Sequence, residues 1–412
     1  MTQGPTSVNS ERIWSNLMTM AEIGKTSSHG VRRLALSDAD RDARNLLKQW
    51  FTAAGLTLRV DDLGNMYGRR KGVDDSAPPI VFGSHLDTVP TGGRFDGSLG
   101  VLGALEVVCT LNDAGVRTEA PLEVVNWTNE EGVRFGPAML ASGTVCGHFT
   151  RDQAYATRDV EGRTFVDELT RIGYLGDLNN RLRECAAYLE LHIEQGPVLE
   201  RAGAQIGIVE GIEGISWNRI EVVGRAAHAG PTPMPDRRDA MVAAARLVLL
   251  LRDISERLND IKTTVGQLNV SPNVVNVVPG RVEMMLDVRS PRDDGLTRAL
   301  GMADEACQRV EELDHVTIRR SEVWRSPVTP FAHQVVTAVA NAAAGRGYSR
   351  RRLWAGAGHD AKYMAEHFPT GMIFVPSRNG LSHNEAEWSA PEDCARGADV
   401  LLESVLTLAG SV

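Results

Sequence analysis

The sequence predicts an α/β protein: a discontinuous first domain on a mainly parallel sheet, plus an inserted ferredoxin-like βαββαβ domain. Three observations carry that reading. Apolar strand-like runs alternate with helical periodicities through the first half and again near the carboxyl end, the pattern of a parallel sheet covered by helices. Between them, residues 213–327 read as strand, helix, strand, strand, helix, strand. At 412 residues, finally, the chain exceeds the size at which a single hydrophobic core usually keeps growing. The expected division is 1–212 with 328–412 for the first domain and 213–327 for the insert.

Residues 9–54 read mainly as helix, with Ile13, Leu17, Met20 and Ile23 spaced for one face and a second helix ending before Gly55. Strands follow at 56–60, 66–70 and 79–82. The last leads into Gly-Ser-His85-Leu-Asp87-Thr-Val-Pro-Thr-Gly-Gly-Arg-Phe-Asp96-Gly, and a helix then runs over 98–114. A strand at 122–128 ends on Asn129-Glu130-Glu131-Gly, and one beginning near Tyr188 passes through His192 and is broken by Gln195-Gly-Pro. In the insert, strands at 218–223, 263–270, 281–289 and 316–323 and helices at 237–258 and 292–313 are expected. Beyond residue 327 come helices at 332–344, from 360 and from 391, with strands near 352–354 and at 371–375.

Composition narrows the function classes. Hydrophobic residues at 42% and charged residues at 24% are ordinary for a soluble globular chain, and no apolar stretch reaches the length of a membrane span. The amino terminus has no basic region followed by an apolar core, so no secretory signal is expected. Five widely spaced cysteines without a Cys-x-x-Cys pair argue against a disulfide framework and for a reducing cytoplasm. A net charge of -9 without a basic run argues against nucleic acid as a partner.

Imidazole and carboxylate side chains recur where loops leave strands: His85, Asp87, Asp96, Glu130, Glu131, His192 and His383. Ligands gather at such strand ends in open α/β sheets. A lone histidine or aspartate there is more often a structural hydrogen-bonder, and an isolated Glu-Glu pair is more often a solvated turn. Joint placement is the argument. Five of these residues could hold two divalent ions, with Asp96 as a bridge. The glycines read as backbone freedom, since no Gly-Lys-Ser/Thr follows to make a phosphate cradle.

These motifs, together with His228-Ala-Gly-Pro-Thr-Pro-Met, Asp287-Val-Arg289, Gly358-His359-Asp360-Ala and Ser382-His383-Asn384, resemble the hydantoinase/carbamoylase branch of the M20 metallopeptidase-like amidohydrolases. That branch includes N-carbamoyl-L-amino-acid hydrolases, β-ureidopropionases, and allantoate and ureidoglycolate amidohydrolases. The resemblance covers nearly the whole chain. It implies a binuclear site in which His85, Asp96 and His192 hold one ion and Asp96, Glu131 and His383 the other. Two divalent ions per subunit are expected, and ligands of N and O alone permit zinc, manganese, cobalt or nickel. Two such ions facing only two carboxylates leave the site net positive, which favours hydroxide.

The resemblance assigns Glu130 as general base and Asp87 as the carboxylate that orients His85 by accepting its other ring N–H. It assigns His228 as a donor to the substrate carbonyl or oxyanion, supplied across a dimer interface, and Arg289 as a fork for the substrate carboxylate. Gln195 and Asn276 match positions that hold the ureido or carboxylate end of the substrate, and Gly358 and His359 lie in a matching substrate-side loop; the plainer alternatives are a domain ion pair for Arg289, a turn cap for Asn276 and a structural role for His359. The insert would serve as lid and dimerisation domain of a homodimer. A cation at Arg378, just before His383, would favour an acidic substituent if it faced the pocket; a solvated arginine is the plainer expectation. The expected reaction is hydrolysis of an N-carbamoyl-L-amino acid to the amino acid, ammonia and carbon dioxide. Alternatives are an allantoate or ureidoglycolate amidohydrolase, an aminoacylase or dipeptidase, and a non-catalytic metal-stabilised binding protein.

Overall fold

A computed structural model describes residues 7–411. Residues 1–6, part of the amino-terminal segment expected to carry no secretory signal, lie outside it, as does residue 412. The chain forms two compact units, one ending at Gly211 and resuming at Pro330, the other spanning Ile212–Thr329.

In chain order the strands are β1 (Thr57–Val60), β2 (Met66–Arg70), β3 (Ile80–His85), β4 (Leu122–Trp127), β5 (Ala187–Ile193) and β6 (Ile206–Ile212). Then come β7 (Gly214–Val223), β8 (Ala227–His228), β9 (Lys262–Ser271), β10 (Val277–Val278), β11 (Arg281–Ser290) and β12 (Thr317–Ser326). The chain closes with β13 (Thr329–Pro330), β14 (Arg350–Ala355) and β15 (Thr370–Val375).

The first unit is built on a sheet of order β1-β2-β4-β3-β5-β15-β6-β13, with β14 also paired to β6. Its centre, β4-β3-β5-β15, is parallel. Antiparallel pairs flank it, β1 with β2 and β2 with β4 on one side, β15 with β6 on the other. Every residue of the four central strands is buried, as apolar runs covered on both faces require. The helix Ser98–Asp113 packs on β3 and against the helix Pro391–Ala409. Its first three turns are buried all round, which is why its sequence shows little amphipathic contrast.

The expectation of two helices making up most of residues 9–54 holds for the helices but not for their share of the segment. Helices cover Ser10–Ala21 and Asp38–Ala53, capped by the side chains of Asn9 and Ser37. Residues 22–37 between them are turns and isolated bridges. Gly24, at φ +86°, turns the chain where a Cβ would press on the Arg32 carbonyl, and the Arg33 side chain is fully enclosed, so this stretch folds inward as loop. The strand β6 is a further difference. Its glycines hide the alternation, and Gly207 is needed because Leu353 and Phe374 lie where a Cβ would go.

The second unit is a four-stranded antiparallel sheet of order β12-β7-β11-β9. The helices Ala240–Arg257 and Asp293–Asp314 contribute Leu247, Leu251, Leu296 and Ala303 to one core with Ile220, Val282, Met284 and Leu286. Alternate burial along β11 follows from one covered face. This is the ferredoxin-like arrangement.

Candidate metal centre

The four parallel strands all deliver their carboxyl ends to one place. β3 ends on His85, β4 runs into Asn129-Glu130-Glu131, β5 carries His192 next to its last residue, and the loop after β15 carries His383. Asp96 reaches them from the turn that opens the helix Ser98–Asp113. Gly97 makes the approach possible: it has φ +62°, and a Cβ there would collide with the His85 ring.

The geometry brings together all five residues expected to hold metal. Asp96 Oδ1 lies 3.1 Å from His192 Nε2 and 3.8 Å from His85 Nε2. Its other oxygen, Oδ2, is 3.3 Å from His383 Nε2, which is 3.4 Å from Glu131 Oε2. The two oxygens of one carboxylate thus face two different donor groups, His85–Asp96–His192 and Asp96–Glu131–His383, each compact enough to hold a metal ion. Glu131 Oε1 is buried with no partner among the described residues, as an oxygen reserved for a cation would be. The residues present fit two small divalent ions with N and O donors.

Electrostatics without the ions has the same sense. Burial alone would raise the Asp96 carboxyl, but hydrogen bonds from His192 and His383 outweigh it and hold it well below its usual range. Despite burial, Asp96 lifts His192 to about 9, and it also raises His383. His85 is pushed down to about 4 by burial. Burial, then the carboxylates around them, push Glu130 and Glu131 well up. Too many acids share one enclosed space, and cations would relieve them.

Glu130 is buried, with Oε2 3.5 Å from His85 Nε2. The Asp87 carboxylate differs from its expected task. His85 Nδ1 makes its hydrogen bond to the backbone carbonyl of Asp87, at 2.9 Å, whereas the nearest carboxylate oxygen is 4.0 Å away. That carboxylate instead accepts the backbone N–H groups of Glu130 (3.2 Å) and Glu131 (3.3 Å). The left-handed Asn129, at φ +60°, turns the chain so that both amides point to Asp87.

Gln195 sits beside Asp96: its Nε2 donates to Asp96 Oδ2 at 3.0 Å and to Ser382 Oγ at 3.3 Å, while its Oε1 is buried and unpartnered among the described residues. His359 is buried against the His192 ring, centroids 4.4 Å apart, with Nε2 likewise unpartnered. A Cβ on Gly358 would press on Met139. Arg378 is exposed and stacks over Trp388 at 5.3 Å, the solvated alternative.

The remaining expected residues lie in the second unit. His228 is exposed on β8, paired with Val277 of β10, and the Ala229 amide donates to the Asn276 carbonyl at 2.9 Å, so these two share one ribbon. Arg289 donates to Asp287 through Nε (3.1 Å) and Nη2 (2.9 Å), and Asp287 also accepts from Trp217 Nε1 (3.0 Å).

Sequence reasoning missed Arg33 and Glu190. Arg33 donates to the carbonyls of Leu86 (2.7 Å), Met20 (3.1 Å) and Ile23 (3.0 Å) and to Ser98 Oγ (3.0 Å), joining both sides of the His85–Asp96 loop. No spacing rule picks it out. Glu190 accepts from Ser84 Oγ (2.7 Å), Tyr188 OH (3.1 Å) and the Ala361 amide (3.0 Å) beneath the site, and its place two residues before His192 was the available signal.

The model of "Peptidase family M20/M25/M40" matches residues 81–407, from the strand before His85 to the last helix. The chain belongs to this family. Among M20 relatives it is 46% identical over 98% of its length to an N-carbamoyl-L-amino-acid amidohydrolase of Rhizobium meliloti, covering 97% of that protein. It is 41% identical, over 98% of its length and 99% of the other's, to an N-carbamoyl-L-amino acid amidohydrolase of Geobacillus stearothermophilus. A solved hydantoinase/carbamoylase family amidase from Burkholderia multivorans superposes with a TM-score of 0.95 at 46% identity, covering 98% of both chains.

Proposed function

We propose that this M20 protein hydrolyses the carbamoyl group of an N-carbamoyl-L-amino acid, releasing the amino acid, ammonia and carbon dioxide. The observation that carries the chemistry is Asp96, whose two oxygens face two donor groups beside a buried Glu130. The substrate class follows the names of the relatives above. His85, Asp96 and His192 would hold one ion and Asp96, Glu131 and His383 the other. When bound, such ions acidify water and polarise a carbonyl.

The chain's own groups do the rest. Glu130 takes the proton of the attacking water and returns it to the leaving nitrogen as the C–N bond breaks, a service worth about 10²- to 10⁴-fold. Asp87 fixes Glu130 and Glu131 through their amides. Gln195 Oε1 and His359 Nε2, both without a partner among the described residues, are assigned to the ureido N–H groups and the substrate oxygens. His228, Asn276 and Arg289 are assigned to the oxyanion and carboxylate on their motifs alone. We further assign a homodimer, with the insert as lid. Five free cysteines suit a reducing compartment such as the cytoplasm, and no helix among the described residues is long and apolar enough to cross a membrane.

The test is a panel on protein loaded separately with zinc, manganese, cobalt or nickel, measuring ammonia and amino acid. N-carbamoyl-L-amino acids should give both in equal amounts. Turnover confined to allantoate or ureidoglycolate, or to acylated or peptide substrates without ammonia, would overturn the assignment. So would a metal-loaded protein inert to every member.

A further inference from the structure

Glu387 belongs to no donor group, yet it is buried at the centre of the site's loops. Its Oε1 accepts the backbone N–H groups of Phe95 (2.9 Å) and Asp96 (3.1 Å), and its Oε2 accepts the hydroxyl of Ser382 (2.8 Å), the residue before His383. The same hydroxyl lies 3.1 Å from Asp96 Oδ2. Gly93 is glycine for this reason: a Cβ there would collide with the Glu387 carboxylate. The loop around Glu387 is otherwise well fixed. Glu385 meets the Thr26 hydroxyl, and Trp388 packs edge-on against Trp14 and Phe95, with centroids 5.4 and 5.7 Å apart.

We propose that Glu387 is a positioning residue that ties the Asp96 turn to the His383 loop and so sets the spacing of the Asp96–Glu131–His383 ion site. The inference rests on the metal reading above. Its effect is unequal between the two sites. Two of the three donors of Asp96–Glu131–His383 sit on segments that Glu387 joins. In His85–Asp96–His192 only Asp96 does, because the histidines are carried by β3 and β5 and fixed by carbonyls through Nδ1, His85 to Asp87 O and His192 to Ile193 O, both at 2.9 Å.

Removing the carboxylate frees two buried amides and the Ser382 hydroxyl at once. Outer hydrogen bonds of this kind typically carry a 10- to 100-fold effect on metal affinity. A glutamine could keep much of the link. Its Oε1 can accept both amides, and its amide N–H₂ can donate to Ser382 Oγ, whose single proton then goes to Asp96 Oδ2.

The full-length chain, depleted of metal, is titrated with Zn²⁺ against a chromophoric chelator, with circular dichroism recorded on every variant. Wild type should show two binding constants. Glu387→Ala should weaken one of them by about 10- to 100-fold and the other by much less, and Glu387→Gln should restore most of the loss. Ser382→Ala, which removes one hydroxyl at a half-buried position, should weaken the same constant several-fold, and its circular dichroism reads whether the fold is kept, so the inference stays testable if Glu387→Ala does not fold. Two wild-type constants alongside unchanged constants in a folded Glu387→Ala, or in Ser382→Ala, would overturn this inference alone. So would equal weakening of both. A wild-type chain that takes up no Zn²⁺ would overturn the metal reading and this inference with it.

Discussion

Asp87→Asn separates two ways in which a buried carboxylate can serve a metal site. In the structure the Asp87 side chain holds the amides of Glu130 and Glu131 at 3.2 and 3.3 Å, while His85 is held by the Asp87 backbone carbonyl, which the substitution leaves in place. An asparagine keeps one acceptor oxygen and turns an N–H₂ group towards the other amide. One buried N–H then faces a donor, at a cost of about 1–3 kcal/mol of stability. The displaced amide carries Glu130 or Glu131 with it, and a shift near 1 Å at a reacting group is worth about 10²-fold in rate. The expected result is a fall in kcat/KM for ammonia release of about 10²-fold, a modest loss in urea unfolding free energy, and an unchanged affinity for the ion held by His85 and His192. Had Asp87 acted on His85 through its side chain, that affinity would drop about 10- to 100-fold with little effect on turnover of the loaded enzyme. The second outcome would refute the reasoning.

Three further outcomes follow from the same geometry. Gly97→Ala should abolish metal retention in dialysed protein, read by elemental analysis, because its Cβ collides with the His85 ring and its φ of +62° disfavours any side chain; a variant that keeps two ions contradicts this. Arg33→Lys brings three N–H donors to four acceptors and so leaves at least one unserved, so unfolding in urea should show a loss of at least about 1–3 kcal/mol. Metal uptake should release protons at neutral pH. His192, lifted to about 9 by Asp96, is protonated in the metal-free chain and must become neutral to bind, so apparent affinity rises with pH up to about that value. Calorimetry in buffers of different ionisation heat reads the proton count, and buffer-independent heats would count against it.

The sequence showed more of the site than of its support. The donors stand at the ends of apolar runs, and because parallel strands send those ends to one edge of the sheet, reading the strands was nearly the same as reading the cluster. The loop at 22–37 was hidden because its apolar residues keep a helix-like spacing up to Ile23, and only the enclosed Arg33 shows that the chain turns inward. Residues that act through hydrogen bonds across hundreds of positions, such as Glu387 to the Asp96 amide, leave no local period to detect. Backbone strain was equally invisible: Asn129, Gln195 and His383 all take positive φ without being glycine, at about 1–3 kcal/mol each, and only surrounding contacts hold them there. The task of Asp87 was misread because two hydrogen-bond acceptors, its carbonyl and its carboxylate, belong to one residue, and sequence cannot say which one meets His85.

Glu130 is assigned to move the proton in a two-ion site. The most direct test of that role is ammonia release from an N-carbamoyl-L-amino acid by Glu130→Gln with metal content measured on the same sample. The substitution keeps shape and removes one of several crowded carboxylates, so the variant should hold two ions, unfold no earlier than wild type, and lose about 10²- to 10⁴-fold in kcat. A fully loaded Glu130→Gln enzyme with wild-type turnover would contradict the account.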